Sequence, residues 1–366
     1  MEEIPNGVLV SVLGFVLGVI FGATAQRTNF CTMGAISDAV FMGDWNRFRA
    51  WMLAIAVAIL GSQTLHMTGT VDLATSIYLT PNLGWAGTII GGLLFGFGMT
   101  MTGGCGNKTL VRLGAGNLKS VVVVLFLGIF AYMTLRGLTG LARVELEDAM
   151  NVDLLATGIA DQGMPTFLGL LGVPESVARV VVVAAVAGGL FWFIFKSPEF
   201  RASKADITGG VIIGFLVPVA WYVTGVIGFD DFEPIPLSSF TFVAPVGESI
   251  QYLMTFTGST INFGITVVGG VIFGSFISAK SSGEFRVEAF TDADDMMRHM
   301  VGGAIMGIGG VMALGCTVGQ GITGMSTLAI GSVLALLSIL FGGYFGMKYL
   351  EDGTFGGAFN AVFSRE

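Results

Sequence analysis

Long apolar runs alternate with shorter polar or glycine-rich stretches along almost the whole chain. Nine of these runs predict helices: residues 8–25, 50–65, 85–101, 121–135, 177–195, 207–229, 261–279, 300–314 and 328–344. About 20 helical residues cover the hydrocarbon of a bilayer, so the runs have roughly the length of membrane spans, with 85–101 and 300–314 at the short end. Between them lie a mixed stretch rich in small residues (26–43) and a segment polar enough for an interface (66–84). Two turn-rich loops follow the short runs (102–117 and 317–327). The remaining connections are a long acidic segment with two weak apolar patches (136–175), an acidic, proline-containing outer loop (230–259) and a loop charged with both signs (280–298).

The two short runs repeat one another. GGLLFGFGMTMTGGC (91–105) and GGAIMGIGGVMALGC (302–316) match at an offset of 211, at Gly91/Gly302, Gly92/Gly303, Gly96/Gly307, Gly98/Gly309, Met101/Met312, Gly104/Gly315 and Cys105/Cys316. Each ends at a cysteine, and apolar character breaks off straight after it. With nine spans the two stretches cross in opposite directions, which is the inverted repeat of many transporters. Short spans followed by Gly/Thr/Asn turns predict re-entrant half-helices whose tips reach the membrane centre, where only a protein or aqueous lining tolerates broken backbone. The expected division is a first repeat (1–135), an extracytoplasmic insert (136–175) and a second repeat (176–366), all within one membrane domain.

Composition agrees with this pattern. Of the 366 residues 53% are hydrophobic and 11% charged, against about 25% charged in a soluble domain. Lipid is therefore the solvent, and the 56 glycines suit helices that pack closely in it. The fold class is an all-α polytopic membrane protein. Charge orients it: with the N-terminus outside, Arg136, Arg143 and Arg179 are the basic residues left outside, and the other 14 of the 17 lie on the inner side. The positive-inside rule then places the N-terminus outside and the C-terminus in the cytoplasm.

Three cysteines without secreted-scaffold spacing argue against a disulfide framework. Cys105 and Cys316 sit at the equivalent break of the repeat; Cys31 follows Gly14, Gly18 and Gly22, and at an offset of 196 it falls on Ile227, so the thiol is not repeated. Buried cysteines are commonly plain small residues. Three thiols at span breaks, with helix N-termini and glycine turns around them, also suit a soft anion that binds briefly and leaves. Arg27, Asn29, Asn107, Lys108, Arg112 and Gln320 are candidates for lining the path, although Arg27, Lys108 and Arg112 also read as topology markers and Gln320 as an interhelical hydrogen bond. The two histidines lie far apart and no CxxC occurs, so no metal site is expected. No nucleotide, cofactor or nucleic-acid motif is present.

The stretches RTNFCTMGAISD (27–38), GGCGNKTLVRLGAGNLKS (103–120) and GCTVGQGITG (315–324) resemble those of the YeeE/YedE family of bacterial inner-membrane proteins. The resemblance covers essentially the whole chain. It implies an hourglass-shaped inverted-repeat transporter rather than an enzyme, taking up thiosulfate or a related sulfur or selenium compound. It also implies that Cys31, Cys105 and Cys316 relay the anion by S–H···S hydrogen bonds, and that a small cytoplasmic sulfur carrier of the TusA type is a partner. The competing reading is a membrane sulfurtransferase, in which a thiolate takes sulfur as a persulfide and passes it to that carrier. It needs an acidified thiol, and no base stands near the cysteines in sequence.

Overall fold

The computed structural model describes residues 5–230 and 235–363. The sequence expectations for Asp231, Glu233 and Arg365 fall outside them. Among the described residues nine long helices form the body: α1 (Asn6–Arg27), α3 (Asn46–Met67), α4 (Trp85–Met101), α6 (Lys119–Arg136), α9 (Glu175–Phe195), α11 (Lys204–Tyr222), α13 (Phe263–Ser282), α14 (Ala293–Met312) and α15 (Ile330–Asp352). Short helices fill the connections: α2 (Thr32–Ser37), α5 (Gly106–Gly114), α7 (Leu138–Met150), α8 (Met164–Gly169), α10 (Pro198–Ala202), α12 (Val243–Met254) and α16 (Phe355–Phe363). Eight segments are long and apolar enough to cross a membrane. The ninth long helix, α14, carries Asp294, Asp295 and Arg298 in its first turns and is clasped between α4 and α6. The protein is an all-α, multi-pass membrane protein.

Glycine contacts give the directions of the helices. On α4, Gly91 lies against Gly309 and Ala313 of α14, and Gly98 against Gly302 and Met306, so the two helices run antiparallel. A Cβ on Gly91 would stand 2.6 Å from the Gly309 carbonyl oxygen, and one on Gly309 would stand 2.6 Å from the Gly91 oxygen. No side chain fits at that separation, and small residues are what bring helices this close in lipid. By the same reading α1 runs parallel to α13, α3 to α11, α4 to α15, and α6 to α14. These directions agree with strict alternation of all nine helices across the bilayer. The pairings also come in matched sets: α1 with α13 answers α11 with α3, and α4 with α15 answers α14 with α6.

The structure corrects three readings of the connections. The stretches 102–117 and 317–327 are not simple turns; they hold α5 and a half-helix at 317–326 that widens into a π-helix at Gly319–Gly324. The stretch 230–259 is not wholly an outer loop, because α12 arises within it and packs on α6 through Gly128 and Gly247. The counterpart of Cys31 is not Ile227. α2, between α1 and α3, answers α12, between α11 and α13. Cys31 and Phe242 are their N-caps, and these two residues are related by the same offset of 211 that relates Cys105 to Cys316. The loop after α11 is longer than that after α1, so an offset counted from the preceding helices misplaces the pair.

Segment 136–175 does more than lie on the surface. Val152–Asp153 pairs antiparallel with Asn82–Leu83. The Met164 N–H donates to the Leu328 carbonyl at 2.9 Å, and the Ile330 N–H to the Gln162 carbonyl at 2.9 Å. The segment is thus strapped over the end of the bundle at which α1, α4 and α15 begin.

The close approach of α4 and α14 predicts that Gly309→Val, with its branched Cβ driven into the Gly91 carbonyl, destabilises the fold by at least the ~1–3 kcal/mol typical of overpacking. Thermal unfolding in detergent should show a clearly lower transition for Gly309→Val and no change for Gly188→Val, where a Cβ meets nothing within 4 Å.

Candidate functional site

Four half-helices begin near the centre of the bundle, capped by Cys31 (α2), Cys105 (α5), Phe242 (α12) and Cys316 (317–326). All three thiols are free and buried, with 5%, 0% and 0% exposure for Cys31, Cys105 and Cys316. Each occupies the position where a capping side chain receives N–H groups of the first helical turn. The Gly34 N–H donates to the Cys31 sulfur at 3.5 Å and the Gly319 N–H to the Cys316 sulfur at 3.4 Å. The Phe242 and Val318 N–H groups also point at Cys316. At Cys105 the Lys108 N–H is directed at the sulfur without closing a full cap bond, and the thiol donates to Asn107 Oδ1. N–H groups that engage the sulfur lone pairs leave S–H protons to point elsewhere, and the helix ends add positive potential without a fixed charge.

The Cys105 thiol lies beside that of Cys31 and beside the hydroxyl of Thr317, the residue next in sequence to Cys316.

Narrow crevices lie on either side of these residues. One, without room for a water molecule, lies beside Cys31 and is lined also by Asn29, Arg47 and Asp206. It lies where α1 ends and α3 and α11 begin. Another, of only about 20 Å³, lies where α4 and α15 begin, lined by Tyr78, Thr88, Gln162, Leu314, Gln320 and Ser332 among others. The two are on opposite faces.

Lys108 is the most buried cation near the thiols, at 8% exposure. Its Nζ donates to Asn29 Oδ1 at 3.2 Å, and among the described residues no carboxylate pairs with it. Arg112 is half-buried, with its guanidinium beside Gly103 and Gly104. Gln320 is buried and engaged at both ends of its amide: Nε2 donates to the Ala313 carbonyl, and Oε1 accepts from Ser332 Oγ at 2.7 Å. Arg27 is set apart; it is exposed and lines a groove with Ala23, Thr208 and Ser281. The structure therefore brings Cys31, Cys105, Cys316, Asn29, Asn107 and Lys108 together, sets Gln320 at the other crevice, and leaves Arg27 outside.

Arg47, Phe242, Gln162 and Thr317 were not picked out by sequence. Arg47 counted there only toward the charge of one face. In the fold its guanidinium lies against Gly34 in the first turn of α2, held by Asp38 at 3.1 Å. Phe242 carries no chemical signal until its place opposite Cys31 is known, although the offset of 211 applied to residue 31 points to it. Gln162 lies in a segment with no counterpart in either half.

A helical membrane protein in which broken helices meet inside the bundle has the build of a transporter. The chain belongs to the sulphur transport family, whose model matches residues 27–345. It is 29% identical over 343 residues to the thiosulfate transporter TsuA of Escherichia coli (strain K12), covering 89% of this chain and 92% of that protein. It is 26% identical over 335 residues to the thiosulfate transporter TsuA of Spirochaeta thermophila, covering 90% and 96%.

Exposure predicts an order of thiol reactivity. In single-cysteine proteins, a small charged methanethiosulfonate should label Cys31 at least about tenfold faster than Cys105 or Cys316, since reactivity follows access and thiolate character. Intact-mass spectrometry over time would read this, and equal rates would contradict the closed arrangement described here.

Proposed function

We propose that the protein takes up thiosulfate through the centre of the bundle, with Cys316, Cys105 and Cys31 as successive hydrogen-bonding stations. The observation that carries this reading is the grouping of Cys31, Cys105 and Thr317, the neighbour of Cys316, beside a buried ammonium, Lys108, that no carboxylate pairs with among the described residues. An anion supplies the missing counter-charge there. Thiols and backbone N–H groups bind it more loosely than a fixed cation would, and transport needs binding weak enough for release. The terminal sulfur of thiosulfate is a soft acceptor for S–H donors. The match in length and identity to proteins named thiosulfate transporters supports the substrate.

Direction and setting follow from charge. The basic residues gather on the face where α1 ends, so in the inner membrane of a bacterium that face is cytoplasmic, the N-terminus is periplasmic and the segment 136–175 is extracytoplasmic. The anion then enters beside Gln162 and Gln320, passes the thiols and leaves past Lys108, Arg112, Asn29 and Arg47 toward a sulfur carrier of the TusA type. The matched helix pairings support two inverted halves, 1–135 and 176–366, around one path. The engaged sulfur lone pairs favour relay by hydrogen bonds over covalent capture of the substrate.

Liposomes containing the purified protein should accumulate radiolabelled thiosulfate, and Cys105→Ala, at the middle station, should lower the initial rate at least about tenfold, the size expected when roughly 1.4 kcal/mol of binding is lost. Wild-type protein that carries no thiosulfate rejects the substrate; a Cys105→Ala protein with undiminished uptake rejects the thiol path.

A further inference from the structure

Buried polar atoms in a folded protein nearly always have a hydrogen-bond partner, so those without one point to an absent ligand or to water. Among the described residues eight buried side-chain atoms have none, and three of them lie within two residues of a cysteine: Thr32 Oγ1, Asn107 Nδ2 and Thr317 Oγ1. Thr32, Asn107 and Thr317 are 3%, 0% and 0% exposed. Each stands in the first turn of the half-helix that its cysteine caps: Thr32 after Cys31, Asn107 two past Cys105, and Thr317 after Cys316. Thr317 faces the Cys105 thiol without a well-formed hydrogen bond, which places its hydroxyl among the thiols. The fourth half-helix is the control within the molecule. Its cap is Phe242 and its first residues are Val243 and Ala244, so it has neither thiol nor polar donor. The offset of 211 pairs Thr317 with Gly106 and Thr32 with Val243, so the donors follow the thiols and not the repeat.

From this coincidence we infer that each station is a two-part receptor for a mixed sulfur–oxygen anion. The thiol takes a soft terminal sulfur, and Thr32, Asn107 or Thr317 donates to an oxygen on the adjoining sulfonate-like centre. The inference rests on the uptake reading above and adds to it the discrimination of substrate. A sulfur species without oxygen, such as hydrosulfide, leaves the hydroxyl and amide donors buried and unpaired, which is costly. Sulfate satisfies those donors but offers the thiol no soft atom. An anion with both ends satisfies both parts of every station, and the same pair of contacts recurs as it moves along.

The test uses full-length protein in liposomes and Thr→Val changes, which keep the shape and delete the donor. Thr32→Val and Thr317→Val should each raise the KM for labelled thiosulfate about tenfold, the factor that corresponds to about 1.4 kcal/mol. Thr32→Ser and Thr317→Ser should stay within about twofold of wild type, because they keep a hydroxyl. Hydrosulfide should also compete with thiosulfate better in the Val proteins than in wild type. The inference is overturned by Val proteins of unchanged melting temperature and unchanged KM, or by Val and Ser proteins that are equally impaired. Failure of both Val proteins to fold overturns it as well, because the hydroxyls would then be structural. Wild-type liposomes that import no thiosulfate would instead strike at the uptake reading.

Discussion

A chain that interrupts its helices inside a bilayer must enclose every interruption, because hydrocarbon offers no partner to a free N–H or C=O. Four interruptions meet in this molecule, and the remaining architecture is the wall around them. The wall closes because α4 and α14 touch backbone to backbone through Gly91, Gly98, Gly302 and Gly309, with α15 and α6 packed on their flanks. Only with that closure can the first-turn N–H groups of the half-helices point inward at sulfur rather than at lipid. The thiols are thus a consequence of the packing as much as of their own chemistry.

Reading the sequence recovered what hydrophobic length encodes. All nine long helices coincide with apolar runs, and their ends differ mostly by a few residues, with the charged first turns of α14 and the last two turns of α15 the largest extensions. The count of nine spans made the repeated stretches 91–105 and 302–316 antiparallel, and the fold shows why both carry the same glycines: they meet at one helix contact. What stayed hidden depends on long-range placement. α12 lies among prolines and acids that read as an outer loop, yet Val246 and Gly247 find Gly128 across the bundle. Arg47 looks like any basic residue of one face until α2 folds back over it. Thr317 was covered by the more conspicuous Cys316.

The site is two-fold in backbone and unequal in chemistry. Cys105 and Cys316 answer one another, whereas Cys31 answers Phe242, whose ring packs at a tilt against Phe21 at 5.2 Å and Phe240 at 6.4 Å. An aromatic ring therefore seals the position at which a fourth thiol would stand. Two adjoining thiols and the cations lie toward one end, and a single thiol with neutral amides lies toward the other. The two ends of the site therefore differ in potential, neutral at one and positive at the other.

The strap formed by 136–175 has a mechanical meaning. One of its attachments is Asn82–Leu83, which leads into α4; the other is Leu328–Ile330, which leads into α15. Because these anchors belong to opposite halves of the chain, the strap acts as a tie-bar across that end of the bundle. Wide rocking of one half against the other would tear both sets of backbone hydrogen bonds. Any opening of this end would have to break these bonds or stay local, as in a swing of Gln162 away from the Thr80 carbonyl, to which its amide donates at 3.1 Å.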